Sequence, residues 1–178
     1  MATAKGLTGG YFPVSAIIAR NDLWETLRAA NAHFRAGHTL NASVIGMTAA
    51  IETIHYIQKH NLVENARVVG AYFLERLHEL LQYRTIGDVR GKGMMVGFEF
   101  VTDKATKATF PPEQETSRLF SEITFERGLI TYPCAGTVRG VAGDTILMAP
   151  PLTTTREQID EIMAILHDSM KAFEARVL

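Results

Sequence analysis

Lys5 is the side chain with the clearest chemical potential in this sequence, and it begins the segment KGLTGGY (5–11). Glycines and small residues after a lysine are typical of a tight turn, and the largely apolar run 14–19 that follows predicts a strand. A lysine amine that is held in a pocket and partly removed from water has a lowered pKa, which Schiff-base formation with a carbonyl group requires. Most Lys-Gly pairs are ordinary turns, so the local motif alone leaves a solvated turn lysine as the alternative.

A second group of polar residues lies in the segment 31–43, which mixes Ala, His, Asn, Gly and Thr without periodicity and therefore predicts a loop. Thr39 stands near the end of this loop, next to His38 and shortly before a helix that we expect over 44–60. A hydroxyl and a backbone amide at a loop-to-helix junction suit an anion. An ordinary loop threonine is the alternative.

Composition and charge exclude several classes of function. The 178 residues carry a net charge of −1, which gives no indication of a surface that binds nucleic acid or a membrane. No apolar run reaches the ~20 residues that a membrane span needs, and the sequence shows no signal-peptide pattern. Cys134 is the single cysteine, so an intrachain disulfide is excluded and we expect a cytoplasmic protein. The six histidines lack metal-ligand spacing, and we predict no metal site.

Periodicity predicts helices that alternate with short strands, which is typical of α/β layers. Apolar residues at helical spacing predict helices over 44–60, 62–83 and 113–127, and a last helix capped by Thr154 or Thr155. Runs rich in β-formers predict strands over 94–101, 129–132 and 145–148. The glycine-rich segment 135–144 predicts a mobile linker between the last two strands. We expect a domain boundary near residue 61.

Several longer motifs follow Lys5 in a particular order. They are RAGHTLNAS (35–43), MTAAIETI (47–54), LVENA (62–66), IGDVRGKGMMVGFEF (86–100), RGLITYPC (127–134) and GDTILMAPPL (143–152). In order and spacing they closely resemble the C-terminal part of the class III pyridoxal-phosphate aminotransferases, also called the omega-aminotransferase group. The resemblance covers essentially the whole chain, and an ordered series of motifs is far more specific than any one of them.

The resemblance implies an α/β fold, namely the C-terminal portion of the fold type I pyridoxal-phosphate-dependent transferase fold. Residues 1–61 would be a remnant of the large cofactor-binding domain, and residues 62–178 would be the small C-terminal domain. In the family the Schiff-base lysine lies past the middle of a much longer chain. An aromatic residue that stacks on the cofactor, a glycine-rich phosphate loop and an aspartate that pairs with the pyridine nitrogen all precede it. We therefore expect a missing N-terminal half, either supplied as a separate chain or lost.

The same resemblance implies roles for individual residues. Lys5 would be the catalytic lysine that binds pyridoxal 5'-phosphate covalently. Thr39, beside His38, would bind the cofactor phosphate of the neighbouring subunit in a dimer. Arg139 lies near the position of a mobile arginine that pairs with a substrate carboxylate, and a solvated loop arginine is the alternative. Arg90 would belong to the structural signature of the small domain and precede its strand.

Three functions remain open on this basis. The first is an aminotransferase that moves an amino group from a small-molecule amine or ω-amino acid to a keto acid and is active only with its N-terminal half. The second is a catalytically inactive remnant that folds or dimerises without cofactor. The third keeps the fold and changes the reaction, since some class III relatives are aminomutases, decarboxylases or racemases. A co-purifying second chain separates the first two, and substrate assays test the third.

Overall fold

The computed structural model describes residues 1–35 and 37–178. Ala36, which belongs to the loop motif 35–43, lies outside the described residues. The chain forms two compact units, Met1–Asn61 and Leu62–Leu178, each with its own secondary-structure elements.

The first unit contains a two-stranded sheet and two α-helices. Its elements are β1 (Ala2–Thr3), a 3-10 helix (Lys5–Thr8), β2 (Ala16–Ile17), α1 (Asn21–Ala29) and α2 (Val44–Lys59). β1 and β2 are antiparallel, with Ala2 opposite Ile17 and Thr3 opposite Ala16. The segment 4–15, which contains Lys5, therefore forms a loop that leaves this small sheet after β1 and returns to it in β2.

Helix α2 supports that loop through a glycine in its first turn. The helix begins after Ser43, a favoured N-cap residue, whose hydroxyl accepts a hydrogen bond from the Gly46 amide at 3.5 Å. Gly46 is buried, and a Cβ built there would lie 2.4 Å from Val14 Cγ2 and 3.2 Å from Phe12 Cδ1. Glycine is a poor helix former, and it stands here because it lets Phe12 and Val14 lie against the helix.

The second unit is an α/β domain built on a four-stranded sheet. Its elements are α3 (Leu62–Leu77), a 3-10 helix (His78–Gln82), β3 (Ile86–Lys92), β4 (Met95–Phe100), a 3-10 helix (Pro112–Gln114), α4 (Thr116–Phe125), β5 (Tyr132–Val138), β6 (Ala142–Met148) and α5 (Arg156–Val177). The strand order is β3-β4-β6-β5, and all neighbouring strands are antiparallel. β3 and β5 are therefore the edge strands.

Phenylalanines form the centre of the core of the second unit. Buried rings come from α3, β4, α4 and α5, namely Phe73, Phe98, Phe100, Phe120 and Phe173. The rings of Phe98 and Phe120 meet edge to face with centroids 5.6 Å apart, and those of Phe100 and Phe173 lie 4.9 Å apart. Such ring pairs add to the free energy gained by burial. They join α4 and α5 to the central strand β4.

Two helices differ from the sequence-based expectation at their ends. The helix expected over 62–83 ends at Leu77 and tightens into a 3-10 helix, a common form for a helix terminus. The helix expected over 113–127 is shorter, because Glu115 has a φ of 42° and breaks the helical backbone just before α4 begins at Thr116. Apolar periodicity reports the buried face of a helix and says little about its terminal turns.

The segment 135–144 is a hairpin, and the expectation of a mobile linker there was wrong. The strand expected over 145–148 lies within β6. The strand expected over 129–132 begins three residues later, because β5 runs from Tyr132 to Val138 and pairs with β6 from Tyr132–Leu147 to Val138–Ala142. The glycines of this segment serve the hairpin, since the pairing is irregular between Ala135 and Val138, and Gly136 and Gly143 have φ values of +69° and +85°. Glycine at a positive φ is typical of bulges as well as of loops, and sequence alone does not separate the two.

Side-chain hydrogen bonds close the N-termini of two helices in this unit. Thr155, one of the two expected caps, forms a capping box with Gln158 at the start of α5. Asp144 is buried and accepts hydrogen bonds from the Ser117 amide at 3.0 Å and the Ser117 hydroxyl at 2.6 Å. Because Ser117 lies in the first turn of α4, this carboxylate ties that helix to β6.

Within the described ranges, no helix has the length and apolar character that crossing a bilayer would require. The described side chains also form no group of three or more His, Cys, Asp or Glu that could hold a metal ion.

The close approach of α3 to the β3–β4 turn makes Gly70 a test of the packing in the second unit. A Cβ at Gly70 would lie 2.3 Å from the backbone carbonyl carbon of Gly93. Although alanine favours helices over glycine, we expect Gly70→Ala to lower the free energy of unfolding by about 1–3 kcal/mol, as overpacking does. Urea unfolding followed by circular dichroism measures the change. Gly6→Ala is the control, because a Cβ at Gly6 meets no atom within 4 Å; equal effects of the two substitutions would contradict the close contact.

Candidate active site

Lys5 begins a 3-10 helix directly after β1, in a backbone conformation that side-chain-bearing residues seldom adopt. Its φ is +59°, in the left-handed region where the Cβ of an L-residue is crowded. Backbone hydrogen bonds close the turn, from Leu7 N to Ala4 O at 3.2 Å and from Gly9 N to Gly6 O at 3.0 Å. Strained non-glycine residues concentrate at functional sites, so the backbone of Lys5 marks this turn as a candidate.

Thr8 is the buried end of this turn, and no other residue of its 3-10 helix is buried. Its carbonyl oxygen accepts a hydrogen bond from Tyr11 N at 3.1 Å, and its hydroxyl donates to the Phe12 carbonyl at 2.5 Å. Thr8 was not among the residues singled out from the sequence. A threonine directly before a Gly-Gly pair is nevertheless a signal for a turn closed by a side chain.

The side chain of Lys5 is exposed, and its Nζ makes no hydrogen bond or ion pair with any residue that the structure describes. Two other lysines show the contrast: Lys104 Nζ donates to the Leu81 carbonyl, and Lys107 Nζ donates to the Gly87 carbonyl. The amine of Lys5 is therefore available to bond a ligand.

Thr39 lies in a turn that precedes α2. The Asn41 amide donates to the His38 carbonyl at 2.9 Å, so Thr39 and Leu40 are the two central residues of this turn. His38 and Thr39 are exposed, and no described residue is hydrogen-bonded to the hydroxyl or the amide of Thr39. A hydroxyl and an amide without a protein partner can bind an anion.

A cavity of about 700 Å³ in the first unit lies beside both segments. Ala4, the neighbour of Lys5, and His38, the neighbour of Thr39, both line it. Large apolar side chains line it, among them Trp24, Leu27 and Phe34, and its described lining contains no Asp, Glu, Lys or Arg. The cavity therefore suits hydrocarbon groups, and the donors that a phosphate needs lie on the adjoining residues Lys5 and Thr39.

Arg139 lies in the second unit, in the turn of the β5–β6 hairpin. It has a φ of +54° and an exposed side chain. The pairing of Val138 with Ala142 holds the backbone on both sides of the turn. No described acidic residue forms an ion pair with Arg139, so its guanidinium is available to a carboxylate.

Arg90 precedes β4, the strand expected over 94–101, and itself lies within β3, a strand that the sequence analysis did not predict. The glycines around it resemble a turn in sequence, but pairing with β4 places Arg90 opposite Gly97. Its guanidinium donates to Glu99 and to Asp88, each at 2.5 Å, and these hydrogen bonds raise the pKa of Arg90 above its usual range. Arg90 is thus engaged within the sheet.

The first unit fits part of a site for pyridoxal phosphate. The Lys5 amine and the Thr39 hydroxyl and amide have no hydrogen-bond partner among residues 1–35 and 37–178, so the amine can bond the carbon of an aldehyde and the hydroxyl and amide can bind a phosphate. His38 lines the apolar cavity between these segments. The groups of Lys5 and Thr39 have the chemistry that a covalent anchor and one phosphate contact would need.

Comparison with known proteins identifies relatives of this chain. The family model described as "Aminotransferase class-III" matches residues 1–170. An uncharacterised aminotransferase of Bacillus subtilis, YodT, is 36% identical over 171 residues, which are 96% of this chain and 38% of that protein. The chain therefore spans well under half the length of this relative.

Solved transaminase structures share the fold. A thermostable (S)-enantioselective omega-transaminase from Thermomicrobium roseum matches with a TM-score of 0.86 at 33% identity, over 97% of this chain and 37% of that one. The PMP-bound form of an aminotransferase from Vibrio fluvialis matches with a TM-score of 0.86 at 28% identity, over 99% of this chain and 38% of that one. These matches confirm the expected α/β fold, the C-terminal portion of the fold type I transferases.

The left-handed backbone of Lys5 can be tested without any cofactor. Glycine adopts a positive φ without the steric cost that an L-residue bears, so we expect Lys5→Gly to be more stable than Lys5→Ala by roughly 1 kcal/mol. Both variants lack the amine, and their difference isolates the backbone. Trp24 is the only tryptophan and lies in α1, so its fluorescence during urea unfolding reports on the first unit. Equal stability of the two variants would mean that the backbone of Lys5 is unstrained.

Proposed function

Because this chain belongs to the class III aminotransferase family, we propose that it is the lysine-bearing part of a transaminase. Together with an N-terminal half, it would transfer an amino group from an amine or ω-amino acid to a keto acid through pyridoxal 5'-phosphate. Lys5 is the observation that carries the proposal. The family match includes it, and its unpaired amine stands on a strained turn.

Lys5 Nζ would carry out the covalent steps. When bound, pyridoxal phosphate supplies the electron sink that makes the hydrogen on the substrate carbon acidic. Lys5 Nζ would hold the cofactor by bonding its aldehyde carbon. Once the substrate amine has taken that place, the freed Nζ would move a proton between the substrate carbon and the cofactor. The absence of a protein partner for this amine among the described residues supports both steps, because Nζ must bond and then leave.

Thr39 would bind the cofactor phosphate through its unpaired hydroxyl and amide. In a homodimer of the kind that the resemblance implies, this phosphate belongs to the site of the neighbouring subunit, and His38 lies beside the contact. A hydrogen bond to a charged group contributes about 1.5–3 kcal/mol. Retention of the cofactor would then depend on dimerisation.

The remainder of the site would come from an N-terminal half. The chain spans 38% of the Bacillus subtilis relative and 37% of the Thermomicrobium roseum transaminase. A stacking aromatic ring, an aspartate for the pyridine nitrogen and a phosphate loop would be supplied there. Tyr11, Ile17 and Leu40 of the first unit are each more than 80% exposed, which supports a large covering partner. The single cysteine supports a reducing compartment, and we propose the cytoplasm.

Arg139 would select substrates that carry a carboxylate. A guanidinium pairs with a carboxylate through two parallel hydrogen bonds. The tip of a hairpin suits this task, because the strands hold the backbone while the exposed side chain can approach or leave the substrate. An uncharged amine would not need this contact.

Capture of the cofactor on Lys5 tests the central role. The chain is affinity-purified from its own cells, incubated with pyridoxal phosphate and reduced with borohydride, and the labelled lysine is identified by peptide mass spectrometry. We expect the label on Lys5, and at least a roughly tenfold loss of total label in Lys5→Arg, which keeps the charge but cannot form a Schiff base. Lys59→Arg at the end of α2 is the matched control and should keep the label.

The same sample separates the transaminase from an inactive remnant. Mass spectrometry of the unlabelled protein identifies any accompanying polypeptide, and we expect a second chain that carries the missing half. Label spread evenly over several lysines, with no accompanying chain, would instead support a remnant without cofactor chemistry.

Substrate comparison tests Arg139. We expect Arg139→Ala to slow the reaction of carboxylate-bearing amino donors by roughly tenfold to several hundredfold, because a bound carboxylate would lose its bidentate partner. Simple amines should react at an unchanged rate. Arg139→Lys should recover part of the loss, since it restores charge without the planar fork. An equal loss with both substrate types would contradict a carboxylate contact and indicate a role in folding of the hairpin.

A further inference from the structure

We infer that Thr8 is a positioning residue for Lys5, acting through the Phe12 carbonyl and through the packing of Phe12 and Val14 on Gly46. The catalytic meaning of this device rests on the proposed function of Lys5. Its structural content does not, because it concerns only the positive φ of Lys5 and the contacts of Thr8.

The strained backbone of Lys5 requires a constraint from its surroundings. A left-handed L-residue costs about 1–2 kcal/mol, and it persists only where the rest of the structure over-determines it. The side chain of Lys5 is exposed and bonded to no described residue, so it supplies no constraint itself. The backbone on either side must do so. On the N-terminal side Ala2 and Thr3 are paired in β1.

The backbone hydrogen bonds from Leu7 N to Ala4 O and from Gly9 N to Gly6 O close the turn itself, and Thr8 holds the C-terminal end of that turn in place. It is completely buried, and its hydroxyl donates to the Phe12 carbonyl while its own carbonyl accepts from Tyr11 N. These two bonds close the segment 8–12 into a ring. Valine has the shape of threonine without the hydroxyl, so Thr8→Val would leave the Phe12 carbonyl unpaired beside a buried side chain.

Helix α2 anchors this ring from outside. Phe12 and Val14 contact Gly46, and a Cβ built on Gly9 would lie 3.6 Å from Thr53 Oγ1. Gly46 and Thr53 are seven residues apart, which is about two helical turns and therefore one face of α2. The segment 9–14 thus lies along that face. Thr8 therefore links the turn of Lys5 to α2, a helix of 16 residues.

Fixing the backbone of Lys5 in this way is important if its amine is to bond a cofactor. Reactive groups have to be held close to the productive geometry by residues whose own positions are fixed by packing and hydrogen bonds. An exposed lysine side chain has many rotamers. The surrounding structure can therefore fix the position of the Lys5 backbone but not that of its side chain. Loss of the Thr8 hydroxyl would release that backbone toward ordinary negative φ values.

Nuclear magnetic resonance of the 178-residue chain without cofactor tests the structural part. The intraresidue NOE between the amide proton and Hα is strong when φ is positive and weak when it is negative. We expect a strong NOE for Lys5 in the unaltered chain and in Thr8→Ser, which keeps the hydroxyl. In Thr8→Val it should fall to the level of ordinary extended residues. A strong NOE that persists in Thr8→Val overturns the inference, as does a weak NOE in the unaltered chain.

A second variant covers the case in which Thr8→Val unfolds the first unit, as reported by Trp24 fluorescence. Gly46→Ala perturbs the packing of the segment 12–14 on α2, because the added Cβ would displace Val14 and Phe12. We expect it to weaken the Lys5 NOE while Thr8 is intact. An unchanged NOE in Gly46→Ala overturns the inference independently.

Borohydride capture of pyridoxal phosphate tests the chemical part. We expect the labelled fraction of Lys5 to fall roughly tenfold in Thr8→Val, the change that corresponds to loss of one hydrogen bond, and to recover in Thr8→Ser. Normal capture on Lys5 in Thr8→Val would overturn the positioning role. Capture is measured on the chain affinity-purified from its own cells together with its accompanying polypeptide. If that sample fails to capture cofactor on Lys5 while the NOE pattern behaves as expected, the proposed function fails and the structural constraint stands.

Discussion

The contact of Phe12 and Val14 with the bare Cα of Gly46 is the constraint on which the first unit depends. Strands β1 and β2 have two residues each, and a hairpin of that size has little stability alone. Helix α2 is the long element of the unit, and it reaches the loop between these strands only because position 46 lacks a Cβ. The segment that follows Lys5 therefore packs on a glycine some forty residues away in sequence.

The second unit is stabilised in a different way. Its core of phenylalanine rings and its four-stranded sheet give it internal packing of its own, and its candidate substrate-binding residue, Arg139, lies at the tip of a hairpin. A rigid sheet with an exposed turn is a common way to present a side chain while keeping it free to move. Asp144 strengthens this arrangement because it binds the start of α4 from the strand that follows the hairpin turn.

Engagement of charged groups distinguishes structural residues from candidate functional ones in this chain. Arg90 is hydrogen-bonded to two carboxylates across the sheet, and Arg76 is bonded to Glu79 and Tyr72 between α3 and the following 3-10 helix. Lys5 and Arg139 have no such partners among the described residues, and both have positive φ values. Strained non-glycine residues cluster at ligand-binding sites, and a charged side chain without a partner among the described residues is available to a ligand. A class III aminotransferase would need both.

The sequence by itself determined the family, the α/β class and the course of α2, because ordered motifs and helical periodicity are local properties that survive without coordinates. It also identified Lys5, Thr39 and Arg139 as candidates. Only the tertiary structure decided that 135–144 is a paired hairpin, that Arg90 lies inside a strand, and that Thr8 is buried and donates to the Phe12 carbonyl. Each of these depends on a partner distant in sequence or on burial. Glycine-rich segments have similar sequences whether they form loops, bulges or close contacts. The role of a threonine hydroxyl becomes known only when the structure identifies the carbonyl group to which it donates.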